Sequence, residues 1–129
     1  MSEKPAADRI ATAEDCPRAS GMPMLGMGTW ELTDEETCPE AVATALDMGY
    51  RHIDTAQAYG NEHLVGDGIA RSDVDREDVF LATKIWNSDL GYDDAIDAAY
   101  DAVDSLGVDY VDLLYVHWPA EAYDPVETF

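Results

Sequence analysis

Val79-Phe80-Leu81-Ala82-Thr83-Lys84-Ile85-Trp86 is followed by a helical stretch from Tyr92 to Leu106 and then by Val111-Asp112-Leu113-Leu114-Tyr115-Val116-His117. The two outer runs are short and mostly apolar, which suits strands of a parallel sheet covered on its outer side. Between them Tyr92, Ile96, Ala99, Val103 and Leu106 recur at helical spacing, and Asp93, Asp94, Asp97, Asp101 and Asp104 take the other side as a solvated face. Strand, helix, strand in this order is a βαβ unit, and it predicts a parallel sheet.

The same texture extends toward the N-terminus. Arg51-His52-Ile53-Asp54 is a short strand, and Asn61 can cap a helix reaching about Arg71 with Leu64, Val65, Gly68 and Ile69 inward. Thr37-Cys38-Pro39-Glu40 is a capping box with proline in the first turn, so a helix is expected there, carrying Val42, Ala45 and Leu46 inward and stopping at Gly49. Met22-Pro23-Met24-Leu25-Gly26-Met27-Gly28 is expected as one glycine-punctuated strand. Residues 1–20 read as a flexible lead-in or hairpin strand, with a short strand around Arg9 to Ala13. Two architectures suit this alternation, a doubly wound open sheet or a barrel. Gly26-Met27-Gly28-Thr29-Trp30 lacks the third glycine of a dinucleotide-binding turn, and no helix follows at once, which counts against the open sheet.

Composition narrows the function classes. The 129 residues carry 28 Asp and Glu against 7 Lys and Arg, a formal net charge of -21. Such a surface repels phosphate backbones and anionic lipid, so neither nucleic acid nor a membrane is an expected partner. The acids are spread along the chain, as in a halophilic protein kept soluble by carboxylates in a salt-rich cytoplasm. Cys16 and Cys38 form no CxxC pattern, and no metal site or disulfide framework is expected. No signal peptide and no long apolar span is visible, so a cytoplasmic location is expected.

In a barrel, functional groups lie at the C-terminal ends of strands and in the loops that follow. Thr29 and Trp30 follow the first strand, Asp54 and Tyr59 the second, Lys84 and Trp86 the third, and His117 and Trp118 the fourth. Singly, each has an ordinary explanation as a turn aspartate, a loop tyrosine, an edge lysine or a core histidine. Together they say more. Lys84 is one of two lysines in the chain, and an ammonium inside an apolar strand requires a carboxylate, for which Asp54 is the natural candidate. A lysine so paired and next to Tyr59 favours the phenolate, which makes the tyrosine a usable proton donor near neutral pH. His117 could bond the same carbonyl oxygen. No side chain can supply hydride, so carbonyl reduction at this site implies a nicotinamide.

Gly49-Tyr50-Arg51-His52-Ile53-Asp54-Thr55-Ala56, continuing through Tyr59-Gly60-Asn61-Glu62, resembles the aldo/keto reductase signature. Leu81-Ala82-Thr83-Lys84 and Leu114-Tyr115-Val116-His117-Trp118-Pro119 are similar to the segments bearing that family's lysine and histidine. The resemblance implies the N-terminal half of a (β/α)8 TIM barrel, about four βα units over residues 21–129, with the remaining units beyond Phe129. It implies NAD(P)H-dependent reduction of aldehydes and ketones, with NADPH as the cofactor and NADH as the other choice. Asp54, Tyr59, Lys84 and His117 match the catalytic tetrad, with Tyr59 as proton donor. Thr29, Trp30 and Asp54 match residues near the nicotinamide ribose, while Trp30, Trp86 and Trp118 match the substrate pocket. The family's grip on the nicotinamide amide and the adenosine phosphates comes from later strands.

Two other readings compete. A catalytically inactive half-barrel serving as a binding or assembly module would have no reason to keep a buried lysine beside an aspartate. A metal-dependent hydrolase would need more histidines at strand ends than His52 and His117. For the isolated chain the expectation is loss of turnover and self-association through open sheet edges.

Overall fold

The computed structural model describes residues 16–129. The expected strand at Arg9 to Ala13 lies outside them. Arg18–Ala19 (β1) and Met22–Pro23 (β2) form an antiparallel hairpin, turned by Ser20 and Gly21, both with positive φ (50° and 83°), as a two-residue turn between twisted strands requires. Met27–Gly28 (β3), His52–Asp54 (β4), Phe80–Ile85 (β5) and Leu113–Val116 (β6) then make a four-stranded parallel sheet in sequence order. The single strand expected over Met22 to Gly28 is therefore two elements. Between them Gly26 lets the His52 ring pass, since a Cβ there would stand 2.8 Å from its Cγ.

Helices Thr37–Asp47 (α1), Glu62–Arg71 (α2) and Tyr92–Leu106 (α3) connect the strands, and a short helix, Pro125–Thr128 (α4), follows β6. Cys38, Val42 and Leu46 of α1, Leu64, Val65 and Ile69 of α2 and Leu106 of α3 share one core with Ile53 and Leu81. A second cluster joins Ile85 and Leu90 to Ala95 and Ala98, with Leu114 and Val116 against it. All three helices thus cover the same face of the sheet. Strands added in one direction by right-handed crossovers give this one-sided cover, which is the arrangement of a barrel wall and not of a doubly wound sheet, where the strand order reverses.

Three local expectations are corrected. The first turn of α1 is not closed by a Thr37–Glu40 box. Asp34 Oδ1 accepts from the backbone N–H of Glu36 at 3.0 Å and of Thr37 at 2.7 Å, and Asp34 O receives Cys38 N–H, so Asp34 is the working cap. Asn61 precedes α2 without capping it by its side chain. In α3 the buried stripe is Ala95, Ala98, Ala102 and Leu106, whereas Tyr92 and Ile96 are exposed. Ala95 and Ala98 pack on Ile85 and Leu90, while Tyr92 and Ile96 line the open groove beside β6. At the far end α2 packs closely on α3, where a Cβ on Gly66 would stand 1.9 Å from Leu106 O.

The open edges of the sheet are apolar. Beside β6 lies a groove of about 370 Å³ lined by Tyr92, Ile96, Leu114, Val116 and Phe129. Beside β3 another, of about 490 Å³, is lined by Met27, Ala41, Ala45 and Met48. Among the described residues no helix is long and apolar enough to cross a membrane, and no group of three or more His, Cys, Asp or Glu is placed to hold a metal ion.

Candidate active site

On each strand the residues alternate between the helix-covered face and the bare one. Ile53, Leu81 and Ile85 turn to the helices, which sends Asp54 and Lys84 to the bare face. Register then sets their heights. Asp54 is level with Ala82, and Lys84 is level with Tyr115. A lysine side chain leaning back across the sheet reaches Asp54, and Lys84 Nζ lies 2.6 Å from Asp54 Oδ2.

Lys84 donates three times: to Asp54 Oδ2, to Thr55 O at 3.1 Å and to Tyr59 Oη at 3.2 Å. An ammonium has three N–H groups, so its donors are all engaged. Burial alone pulls the Lys84 pKa down, but the neighbouring Asp54, Tyr115 and Tyr59 side chains and the Asp54 charge outweigh it, and the net direction is upward. The ammonium stays charged at neutral pH. A side chain 10% exposed and holding a full charge is a weak contributor to stability, because desolvation offsets much of the Coulomb attraction. Its value lies in holding positive charge against Tyr59.

Tyr59 comes from the tight turn Gln57–Tyr59, closed by Gly60 at φ 67°. Its oxygen accepts from Lys84, so its own proton remains to be given elsewhere. The His117 ring stands edge-on to the Tyr59 ring, with centroids 5.8 Å apart, and to the Trp86 ring at 5.2 Å. Burial first, then the nearby Lys84 charge, lower the His117 pKa, which keeps the imidazole neutral at pH 7 and leaves it one N–H. Its Nδ1 is buried with no protein partner among the described residues.

The structure therefore brings Asp54, Tyr59, Lys84, His117 and Trp86 into one cluster. Thr29 is fully buried, and both its N–H and its hydroxyl donate to Asp54 O, at 3.1 and 3.0 Å, so it fixes the strand end beneath the carboxylate. Trp30 and Trp118, 70% and 63% exposed, stand on the loops after β3 and β6.

Four further residues serve this end of the sheet without having been singled out for it in the sequence. Asn61 Nδ2 donates to Thr29 O and Leu32 O, and its Oδ1 accepts from Thr55 Oγ1. Gln57 Oε1 accepts from Trp86 N–H at 2.9 Å while its Nε2 holds Asp89. Asn87 Oδ1 accepts from Trp118 N–H at 3.0 Å. Three amide side chains thus stitch the four strand-end loops in succession, and each fixes the backbone at or next to a tryptophan. Amide side chains near strand ends were the only signal for this in the sequence. The fourth residue, Tyr115, donates to Asp54 Oδ1 at 2.6 Å.

The arrangement can polarise an oxygen and pass it a proton. The donors that face the open side, Tyr59 and His117, suit a carbonyl oxygen. The rings of Trp30 and Trp118 are exposed on the loops at the same end of the sheet. A nicotinamide fits such a place at its ring end only. Among the described residues Arg18, Arg51 and Arg76 bond backbone carbonyls, Arg71 and Arg76 pair with Asp67 and Asp112, and Lys84 is fully engaged. None is placed for the phosphates of a dinucleotide.

Comparison with known proteins agrees with this geometry. An aldo-keto reductase of Mycolicibacterium smegmatis is 54% identical over 112 residues, which are 85% of this chain and 40% of that protein. The 9,11-endoperoxide prostaglandin H2 reductase of Trypanosoma cruzi is 47% identical over 100 residues, 78% of this chain and 35% of its own length. The crystal structure of an aldo-keto reductase from a Medee basin deep-sea metagenome library superposes with a TM-score of 0.77 at 42% identity, covering 83% of this chain and 39% of that one. The chain accordingly spans well under half the length of the relatives it matches, and its sheet is the N-terminal part of their (β/α)8 barrel. The sequence model of the aldo/keto reductase family matches residues 24–129, and the chain belongs to that family.

Proposed function

We propose that this chain carries the proton-donating half of an NAD(P)H-dependent reduction of aldehydes or ketones to alcohols, with Tyr59 as the acid. The observation that carries the proposal is the Lys84 ammonium held between Asp54 and the Tyr59 hydroxyl, at 2.6 and 3.2 Å. A bound reduced nicotinamide supplies hydride to the carbonyl carbon, and the family resemblance favours NADPH over NADH. The rest belongs to the chain's own residues.

The substrate oxygen accepts from Tyr59 Oη–H and from the neutral His117 ring, which together orient the C=O. As the carbon gains hydride, negative charge grows on that oxygen, and the Tyr59 proton moves to it and completes the alcohol. The phenolate left behind is stabilised by Lys84, already bonded to the Tyr59 oxygen, and Asp54 holds Lys84 in place. Trp30, Trp86 and Trp118 would exclude water and shape the pocket, and by the family resemblance Thr29, Trp30 and Asp54 would stand near the nicotinamide ribose. The catalytically inactive module is disfavoured by the same Lys84 geometry, since a binding role gives no use to a charged lysine aimed at a phenol.

Replacing Tyr59 by Phe in the full-length polypeptide removes the donor and little else. The expected outcome is a kcat lower by about 10²–10⁴-fold, the usual range for an acid–base group, with cofactor affinity by fluorescence titration nearly unchanged. Retention of more than about a tenth of kcat would show that the proton comes from elsewhere.

A further inference from the structure

Asp54 has two carboxylate oxygens, and both are taken. Oδ2 receives Lys84 Nζ and Oδ1 receives Tyr115 Oη–H, each at 2.6 Å. Tyr115 lies on β6 directly beside Lys84 in the register, and its ring also faces the ammonium. Lys84 Nζ is 5.1 Å from the Tyr115 ring centroid and 5.0 Å from that of Tyr59, so the cation is sandwiched between two phenols. Burial, and after it the bond to Asp54, raise the Tyr115 pKa. Tyr115 is thereby kept as a protonated donor, distinct from Tyr59, whose oxygen is the acceptor of a Lys84 bond.

We propose that Tyr115 is a positioning residue for the reaction: by bonding Asp54 Oδ1 it fixes the carboxylate plane so that Oδ2 stays on Lys84, and through Lys84 it aligns Tyr59. The inference rests on the proposed role of Tyr59 as proton donor. A carboxylate held at one oxygen only, with a side chain 27% exposed, is free to turn about its last torsion toward water. A second short bond removes that freedom. It also spreads the carboxylate charge over two donors, so Asp54 draws less on the Lys84 proton and leaves more of the ammonium's charge for Tyr59. The groups facing Asp54 are Lys84 from β5 and Tyr115 and His117 from the β6 segment, while Tyr59, from the turn after β4, meets the Lys84 ammonium.

Tyr115→Phe keeps the ring over Lys84 and deletes only the donor. In the full-length polypeptide, kcat for an aldehyde should fall about tenfold while KM changes by less than about twofold, because the lost bond acts on the chemical step. The alkaline limb of the kcat profile should move. In an Asp54→Ala background, which leaves Tyr115 no acceptor, the same substitution should have no further effect, since its whole influence passes through the carboxylate. If Tyr115→Phe folds poorly by circular dichroism, p-aminophenylalanine at position 115, which keeps both ring and donor, should recover kcat. Wild-type kcat and pH profile in Tyr115→Phe would overturn the proposal. So would a loss that multiplies in full with that of Asp54→Ala, or no recovery with p-aminophenylalanine. An active Tyr59→Phe would instead sink the underlying assignment of the acid, so the two failures are separable.

Discussion

At the scale of single residues, the groups legible in the sequence were those whose chemistry conflicts with their surroundings. Lys84 inside an apolar strand demands a carboxylate, and the fold supplies Asp54 at 2.6 Å. Tyr115 was not legible, because a tyrosine in an apolar strand looks like packing until register shows it opposite Lys84. Glu62 is a further case. It opens α2, is only 8% exposed, and its Oε2 accepts from Thr83 Oγ1 at 2.7 Å. Burial raises its pKa, and the Thr83 bond only partly opposes this. In the window between its ordinary and raised values the folded state binds more protons than the unfolded one, so stability falls as pH rises through that window. Glu62→Gln removes the buried charge and keeps an acceptor for Thr83. Its melting temperature should exceed the wild type's by about 2–5 °C at pH 7, and the gain should vanish below about pH 4, where the glutamate is protonated in both states. An equal gain at both pH values would mean that charge burial is not the cause.

At the scale of elements, the strands and helices follow from periodicity, and their partners do not. The order of four parallel strands and three helices was readable because apolar runs and stripes are local properties. Which stripe of α3 is buried was not, because that depends on how the helix sits on β5 and β6 and on the open edge beside β6. The cap of α1 went to Asp34 over the Thr37–Glu40 pattern for a related reason, since several acceptors compete and backbone geometry chooses. The amide stitching by Asn61, Gln57 and Asn87 spans separate loops and leaves no periodic trace. Its consequence can be measured. Asn87→Ala frees the Trp118 N–H and with it the loop that carries the indole. For an aromatic aldehyde KM should rise about 3–10-fold, with a smaller change for a short aliphatic aldehyde that reaches less of the pocket. Equal losses on both substrates would mean that the loop is not a pocket wall.

For the whole molecule two tendencies oppose each other, and salt sets the balance. The sheet is covered on one face, and its edges at β3 and β6 are bordered by apolar grooves that favour burial against further protein. Against compaction stands a formal net charge of -21 with 7 basic residues in 129, too few to neutralise the acids pairwise. At 0.01 M salt the Debye length is about 30 Å, longer than the spacing of neighbouring carboxylates, so each acid repels many others. At molar salt it shrinks to about 3 Å, and the repulsion between solvated faces, such as the aspartate row of α3, is largely screened while apolar burial is retained or strengthened. The Lys84–Asp54 pair should be least affected, because it is shielded from bulk ions. The melting temperature should therefore rise between 0.1 M and 2 M KCl, most steeply over the first few tenths molar, where screening changes fastest. Potassium chloride is the salt to use, since it acts mainly by screening, and a rise confined to sulfate at equal ionic strength would point to apolar burial instead. A melting temperature that stays flat or falls over this range would show that the acidic surface does not govern folding, and would remove the ground for calling the protein salt-adapted.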